Sequence, residues 1–171
     1  MTDWTTIVQR HGPLVWRIAR RLLGHDADAR DCFQQTFLAA VEWDRRAPVR
    51  DWPAALRRLA AARALDLLRA RYRWRRNDPL PDGVPDPEED DPLGAAAHGE
   101  LADRLRQALA GIDPVHAAAF ALVGLDGLSN IEAADALGVS ANHVGVMLHR
   151  ARHQLRARLA AFDPTTREAI P

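Results

Sequence analysis

Apolar residues recur with a helical period along most of the chain, and no stretch alternates apolar and polar as a strand does. Leu14, Val15, Ile18, Ala19, Leu22 and Leu23 form a first stripe. Pro13 suits its opening turn and Gly24 its stop, and a separate helix near Asp3–His11 is expected to precede it. Cys32, Phe33, Thr36, Phe37, Ala40 and Val41 repeat the spacing behind Asp26 and Asp28, whose charges favour a helix N-terminus. A basic, proline-broken loop from Asp44 to Trp52 then leads to a third stripe, Leu56, Leu59, Ala60, Ala64, Leu67 and Leu68, starting at Pro53. Trp4, Trp16 and Trp43 are expected to pack, and Cys32, lying on a stripe, to be a core thiol.

The period stops at Asn77. From there to Glu100 the chain reads NDPLPDGVPDPEEDDPLGAAAHGE, with five of the eleven prolines, which predicts an acidic, extended linker. Helical patterns resume at Leu101–Ala110 and, after a break at Gly111-Ile112-Asp113, from Pro114 to about Val123. A turn is expected at Gly124–Gly127, then two helices, Leu128–Leu137 and Ser140–Ala160, separated by Gly138-Val139. The expected fold is all-α: two small helical domains, 1–76 and 101–162, joined by the acidic, proline-rich linker 77–100 and followed by a tail, 163–171.

The last two helices read as a helix-turn-helix. Ser129 and Glu132 form the S-x-x-E pattern of a capping box. Ala134 is small where two helices must cross, Gly138 suits a left-handed stop, Val139 plugs the interior and Ser140 can cap the next helix. This short-turn geometry places a second helix in a major groove. Between Ser140 and Ala160 there are four arginines and no acid, a bias that suits a polyanion.

Charge changes the picture of the first module. The net charge is zero, yet residues 1–76 hold 16 Arg against 8 acids, and residues 77–100 hold 8 acids and no Arg. The chain has no lysine, so every basic contact is a guanidinium, which forks onto phosphate and stacks on rings. One cysteine cannot form an internal disulfide, the first ten residues lack the apolar core of a signal peptide, and no apolar run approaches a membrane span. A cytoplasmic protein without a membrane segment is expected. Glu88-Glu89-Asp90-Asp91 sit in the linker without the preorganised pocket that acid–base chemistry needs, so no catalytic residues, no enzyme activity and no cofactor are expected. His149 and His153 have a chelating i, i+4 spacing but no third ligand nearby, so no metal site is expected either.

The stretches GPLVWRIARRLLGHDADARDCFQQTFLAAVEW and ALRRLAAARALDLLRARYR resemble the first module of extracytoplasmic-function sigma factors of the sigma-70 family. LRQALAGIDPVHAAAFALVGLDGLSNIEAADALGVSANHVGVMLHRARHQLRARL is similar to their fourth region. The resemblance implies a factor that binds core RNA polymerase and directs promoter-specific initiation. It places polymerase contacts at Asp31, Gln34, Gln35 and Phe37. It places the −10 element, held partly as single strand, against Arg50, Trp52, Arg57, Arg58, Arg63, Arg69, Arg71 and Trp74. The −35 duplex falls to Ser140, Asn142, His143, Arg150 and Arg152. An anti-sigma factor or a targeting protein is a further implied partner.

The chain also departs from the family pattern. Gln35 stands where an acid is usual, Ala55 where Trp is common and Ala62 where Asn is common, and the 44–52 loop looks short. Gly145, Val146 and Met147 stand where the family carries polar or basic residues, which suggests weak base reading and an apolar docking face. Two other readings follow: a sigma-like factor aimed at DNA by a partner protein, or a dimeric helix-turn-helix repressor without polymerase affinity.

Overall fold

The computed structural model describes residues 2–77 and 92–160, the side chains of 75–77 and 92–98 aside. Among them are seven α-helices and one π turn, and no strand. The expected tail and linker residues 78–91 lie outside the described residues.

Helix α1 (Trp4–Leu23) starts on Asp3, whose carboxylate accepts the Thr6 N–H at 3.2 Å and the Thr6 hydroxyl at 2.6 Å. It runs unbroken through Pro13, which corrects both the separate helix at Asp3–His11 and the opening role of the proline. An interior proline costs about 3 kcal/mol or more in lost hydrogen bonding and crowding. Packing overrides it: Trp4 and Ile7 extend the buried face of Val15, Ile18, Ala19, Leu22 and Leu23, Gly12 lies against the Phe33 ring, and Pro13 faces solvent. The helix ends at Gly24, whose φ of 67° is left-handed and where a Cβ would run into the Arg106 guanidinium.

Helix α2 (Asp26–Arg46) continues through Asp44, so the connection to α3 (Trp52–Asn77) is shorter than the expected 44–52 loop. Cys32 and Thr36 are buried in its inner face. The Thr36 hydroxyl donates to the Cys32 carbonyl at 2.7 Å, and the Cys32 thiol donates to the Ala60 carbonyl on α3 at 3.6 Å. Burial pushes that thiol up to about 11, as befits a packing residue rather than a nucleophile.

Helix α4 (Pro92–Gly111) begins well before Leu101, so residues 92–100 are helical where an extended linker is expected. Helix α5 (Pro114–Phe120) opens on Asp113, whose carboxylate accepts the Val115 N–H at 2.9 Å. A π turn, Ala121–Leu125, follows and takes in Gly124, which corrects the helix end at Val123 and the four-residue glycine turn. Its wide spacing lets the N–H groups of Asp126 and Leu128 reach the carbonyls of Ala121 and Leu122 at 2.9 and 3.0 Å.

Helices α6 (Asn130–Leu137) and α7 (Ala141–Ala160) form the expected pair. Ser129 Oγ accepts the Glu132 N–H at 3.2 Å and the Glu132 carboxylate accepts the Ser129 N–H at 2.9 Å, closing the capping box. Gly138 takes the left-handed turn at φ 69°, and Ser140 Oγ accepts the His143 N–H at 3.2 Å. The Ser129 backbone and hydroxyl bonds hold Glu132 below its ordinary value of 4.5. A depressed folded value stabilises above the ordinary carboxylate range and is lost as pH falls through it. Glu132→Ala should therefore melt below the parent at neutral pH, and the gap should close in acid in a series of circular-dichroism melts.

The two modules close on one another. Helix α3 packs on α1 and α2 with one face and on α4, α5 and α6 with another. One core joins Val15, Leu22, Leu56 and Leu68 to Leu109, Ala117, Ala151 and Leu155. A second places Ala61 of α3 among Leu122, Leu128, Ala133, Val144, Met147 and Leu148. The Tyr72 hydroxyl donates to Asp103 at 2.8 Å and Arg106 Nε to the Leu22 carbonyl at 3.1 Å, both across the seam. Among the described residues no helix is long and apolar enough to cross a membrane.

Candidate nucleic-acid interface

On α7, Val144, Met147, Leu148, Ala151 and Leu155 are buried at helical spacing, which fixes the opposite face. Asn142, His143, Val146, His149, Arg150, Arg152, His153 and Arg156 are exposed. At about 100° per residue, Asn142, Val146, His149, Arg150 and His153 share one surface, with His143 and Arg152 at its margins. Met147 is 1% exposed, so the expected Gly-Val-Met surface is corrected: Met147 is core, and only Val146, at 43%, is a substantial apolar element outside. A rotation of about 100° between neighbours splits three consecutive residues between two faces.

This face can do three things. Asn142 can pair bidentately with adenine, Val146 can meet a thymine methyl, and Arg150, Arg152 and Arg156 make no ion pair among the described residues. Ser140 is exposed but spends its hydroxyl on the cap. Val146 and His149 were not among the expected contacts, and the spacing from Asn142 is the signal that finds them. Among the described residues no three His, Cys, Asp or Glu side chains gather to hold a metal.

The candidates on α3 and in the connection before it divide. Arg50, Arg58 and Trp74 are exposed, Trp74 at 74%, and Arg58 lies 5.7 Å over the Trp43 ring. Trp52 is half-buried and meets Trp4 edge-on at 5.2 Å, so its ring packs the module in this state rather than standing free to stack a base. Arg57, Arg63, Arg69 and Arg71 are also partly buried. Arg69 pairs with Asp66 at 3.5 Å, Arg71 pairs with Asp28 and donates to the Leu23 carbonyl, and Arg57 faces Asp126 across the seam. Ala55 is buried, and Ala62 is exposed on the rim of a cleft of about 220 Å³ between α3, α5 and α7.

On α2, Asp31, Gln34 and Gln35 stand exposed in one row. Phe37 does not join them: it is 8% exposed and packs on Phe33 with centroids 4.9 Å apart. The apolar residue on the outside is its neighbour Leu38, at 66%.

The fold and these surfaces define a two-module helical protein whose second module carries a helix-turn-helix. Residues 7–75 match the family model for Sigma-70 region 2, and residues 102–155 match that for Sigma-70, region 4. The chain is 33% identical over 165 residues to the RNA polymerase sigma factor NccH of Alcaligenes xylosoxydans xylosoxydans, covering 90% of this chain and 84% of that protein. It is 32% identical over 178 residues to the ECF RNA polymerase sigma factor SigE of Mycolicibacterium smegmatis, 99% of this chain but 66% of that longer relative. The chain belongs to the sigma-70 family, in its extracytoplasmic-function branch. Among solved structures, CnrH in complex with the cytosolic domain of CnrY matches at 31% identity and a TM-score of 0.57, over 93% of this chain and 88% of that one. The sigma factor RpoE in complex with the anti-sigma factor NepR from Bartonella quintana shares the fold at 20% identity and a TM-score of 0.53, over 94% and 98%.

Proposed function

We propose that this chain binds core RNA polymerase and directs promoter-specific initiation. The first module would hold and open the −10 element and the second would contact the −35 duplex. The observation that carries this reading is the joint exposure, in one closed molecule, of two surfaces suited to different partners. The outer row of α2, with Asp31, Gln34, Gln35 and Leu38, is polar with an apolar centre and meets none of α4 to α7 as a packed neighbour. It is assigned to polymerase, with Phe37 supporting the row from inside. The outer face of α7 is assigned to the −35 DNA through Asn142, His143, Val146 and Arg150, with Arg152 on phosphate and Ser140 capping the helix. Strand opening would then be driven by binding, with captured single strand offsetting the unstacking.

Arg50, Arg58 and Trp74 are the −10 contacts available in the closed molecule. Arg57 would be released by moving the second module off Asp126, whereas Trp52, Arg69 and Arg71 have partners within the first module itself and Arg63 is partly buried, so their use needs rearrangement there. CnrH and RpoE are solved with CnrY and NepR, and an anti-sigma factor is proposed as a partner here by that likeness. The place of action is the cytoplasm, with polymerase. The reading in which a targeting protein docks on Gly145, Val146 and Met147 loses Met147 from its docking face, because that side chain is inside. Full-length protein should co-purify with core polymerase, and Leu38→Glu should weaken that association at least tenfold while leaving the melting temperature unchanged. Equal association of parent and variant would contradict the α2 assignment.

A further inference from the structure

Asp126 leaves the π turn of the second module and points into the first. Its side chain is 3% exposed although it sits on the seam. Arg17 Nε donates to its Oδ1 at 2.9 Å, and Arg21 Nη1 stands 4.0 Å from the same oxygen while donating to the Leu125 carbonyl. Arg57 Nε stands 4.0 Å from Oδ2, too far for a hydrogen bond, and both of these atoms are buried without a partner. Three guanidinium groups from α1 and α3 thus converge on one carboxylate and leave one donor and one acceptor unused.

That is more positive charge and more donors than a carboxylate satisfies. A nucleic-acid strand brings successive phosphodiesters, each with a single charge on two outer oxygens, so it can answer several guanidiniums where one carboxylate cannot, and arginine forks suit it. We propose that Arg17, Arg21 and Arg57 form a DNA-phosphate site, and that Asp126 occupies it as an internal stand-in while the modules are closed. The inference rests on the promoter-binding reading and adds competition to it: DNA backbone and second module claim the same face of α1 and α3. When Asp126 leaves, Arg57 is freed together with the covered strip of α3 around Ala54 and Ala61. The π turn has a role in this, because its wider winding sets the direction in which the following Asp126 projects.

The test uses the full chain carrying probes at Ala27→Cys and Ala157→Cys, with inter-probe distance and binding of a labelled random-sequence duplex as the two readouts. Asp126→Asn keeps the shape and removes the charge. It should lengthen the distance and tighten DNA binding about five- to tenfold, since closure hides the competent form. Adding Arg17→Ala and Arg21→Ala in that background should cancel the gain and flatten the log–log salt slope by about 2. In the otherwise unaltered chain, the arginine pair should lengthen the distance without tightening DNA binding, a readout that stands even if Asp126→Asn fails to fold. An unchanged distance in Asp126→Asn, or opening without tighter DNA binding, would overturn the proposal. So would a salt slope indifferent to the two arginines. Neither readout involves polymerase, so failure of the transcription reading would not mimic these results.

Discussion

Met147→Ala is expected to destabilise the protein by about 2–5 kcal/mol, whereas Val146→Ala, one residue away, should fall within about 0.5 kcal/mol of the parent. Met147 is 1% exposed among Leu122, Leu128, Val144 and Leu148, and truncating it leaves a cavity where α6, α7 and α3 meet. Val146, about 100° round the same helix, projects outward and leaves no void when shortened. Because Ala61 of α3 belongs to the same cluster, loss of Met147 should also loosen the seam between the modules. Urea denaturation followed by circular dichroism checks both values. Equal, small effects from the two substitutions would mean that both are surface residues, and the face assigned to DNA would then be wrong.

Asn142→Ala is expected to cost about 1–3 kcal/mol of discrimination at one base pair, roughly ten- to a hundredfold, with little change in binding to random DNA. Asn142 opens the exposed face of α7, beside a helix start that holds no acid and is capped by Ser140, and among the described residues its amide makes no competing hydrogen bond, so it can enter a groove. Arg150→Ala is the contrast. A phosphate contact positions without specifying, so its loss should weaken all sequences alike and reduce the salt slope by about 1. Selection from a randomised duplex library, run with parent and both variants, separates these outcomes. A shift in base preference for Arg150→Ala and none for Asn142→Ala would reverse the two roles.

Local chemistry explains which features the sequence revealed. The capping box at Ser129 and Glu132, the Gly138 turn and the Ser140 cap are hydrogen bonds or dihedral demands within a few residues, so the pattern shows them directly. The family likeness, carried by both modules in order, was equally legible. Pro13 misled because a tertiary stripe on both sides outweighs its local penalty. The π turn misled because its glycine reads as a stop but lies inside the winding, close enough to the Phe120 ring that a Cβ there would touch it. The seam was hidden for a different reason. The second packing face of α3 uses Ala54 and Ala61, and alanine carries little apolar signal even where it lets helices approach closely. Rotation about a helix decides which site candidates reach the surface. Leu38 and Val146 are outside, and Phe37 and Met147 inside, though each pair is adjacent in sequence.

The central claim is that this chain, given only core polymerase, selects promoters. The most direct measurement is transcription in vitro from a randomised promoter library with purified full-length protein and core polymerase alone, mapping the start sites. Start sites should share two sequence elements at fixed spacing, with the upstream element altered by Asn142→Ala. Polymerase binding with starts scattered at random, becoming specific only when another protein is added, would contradict it.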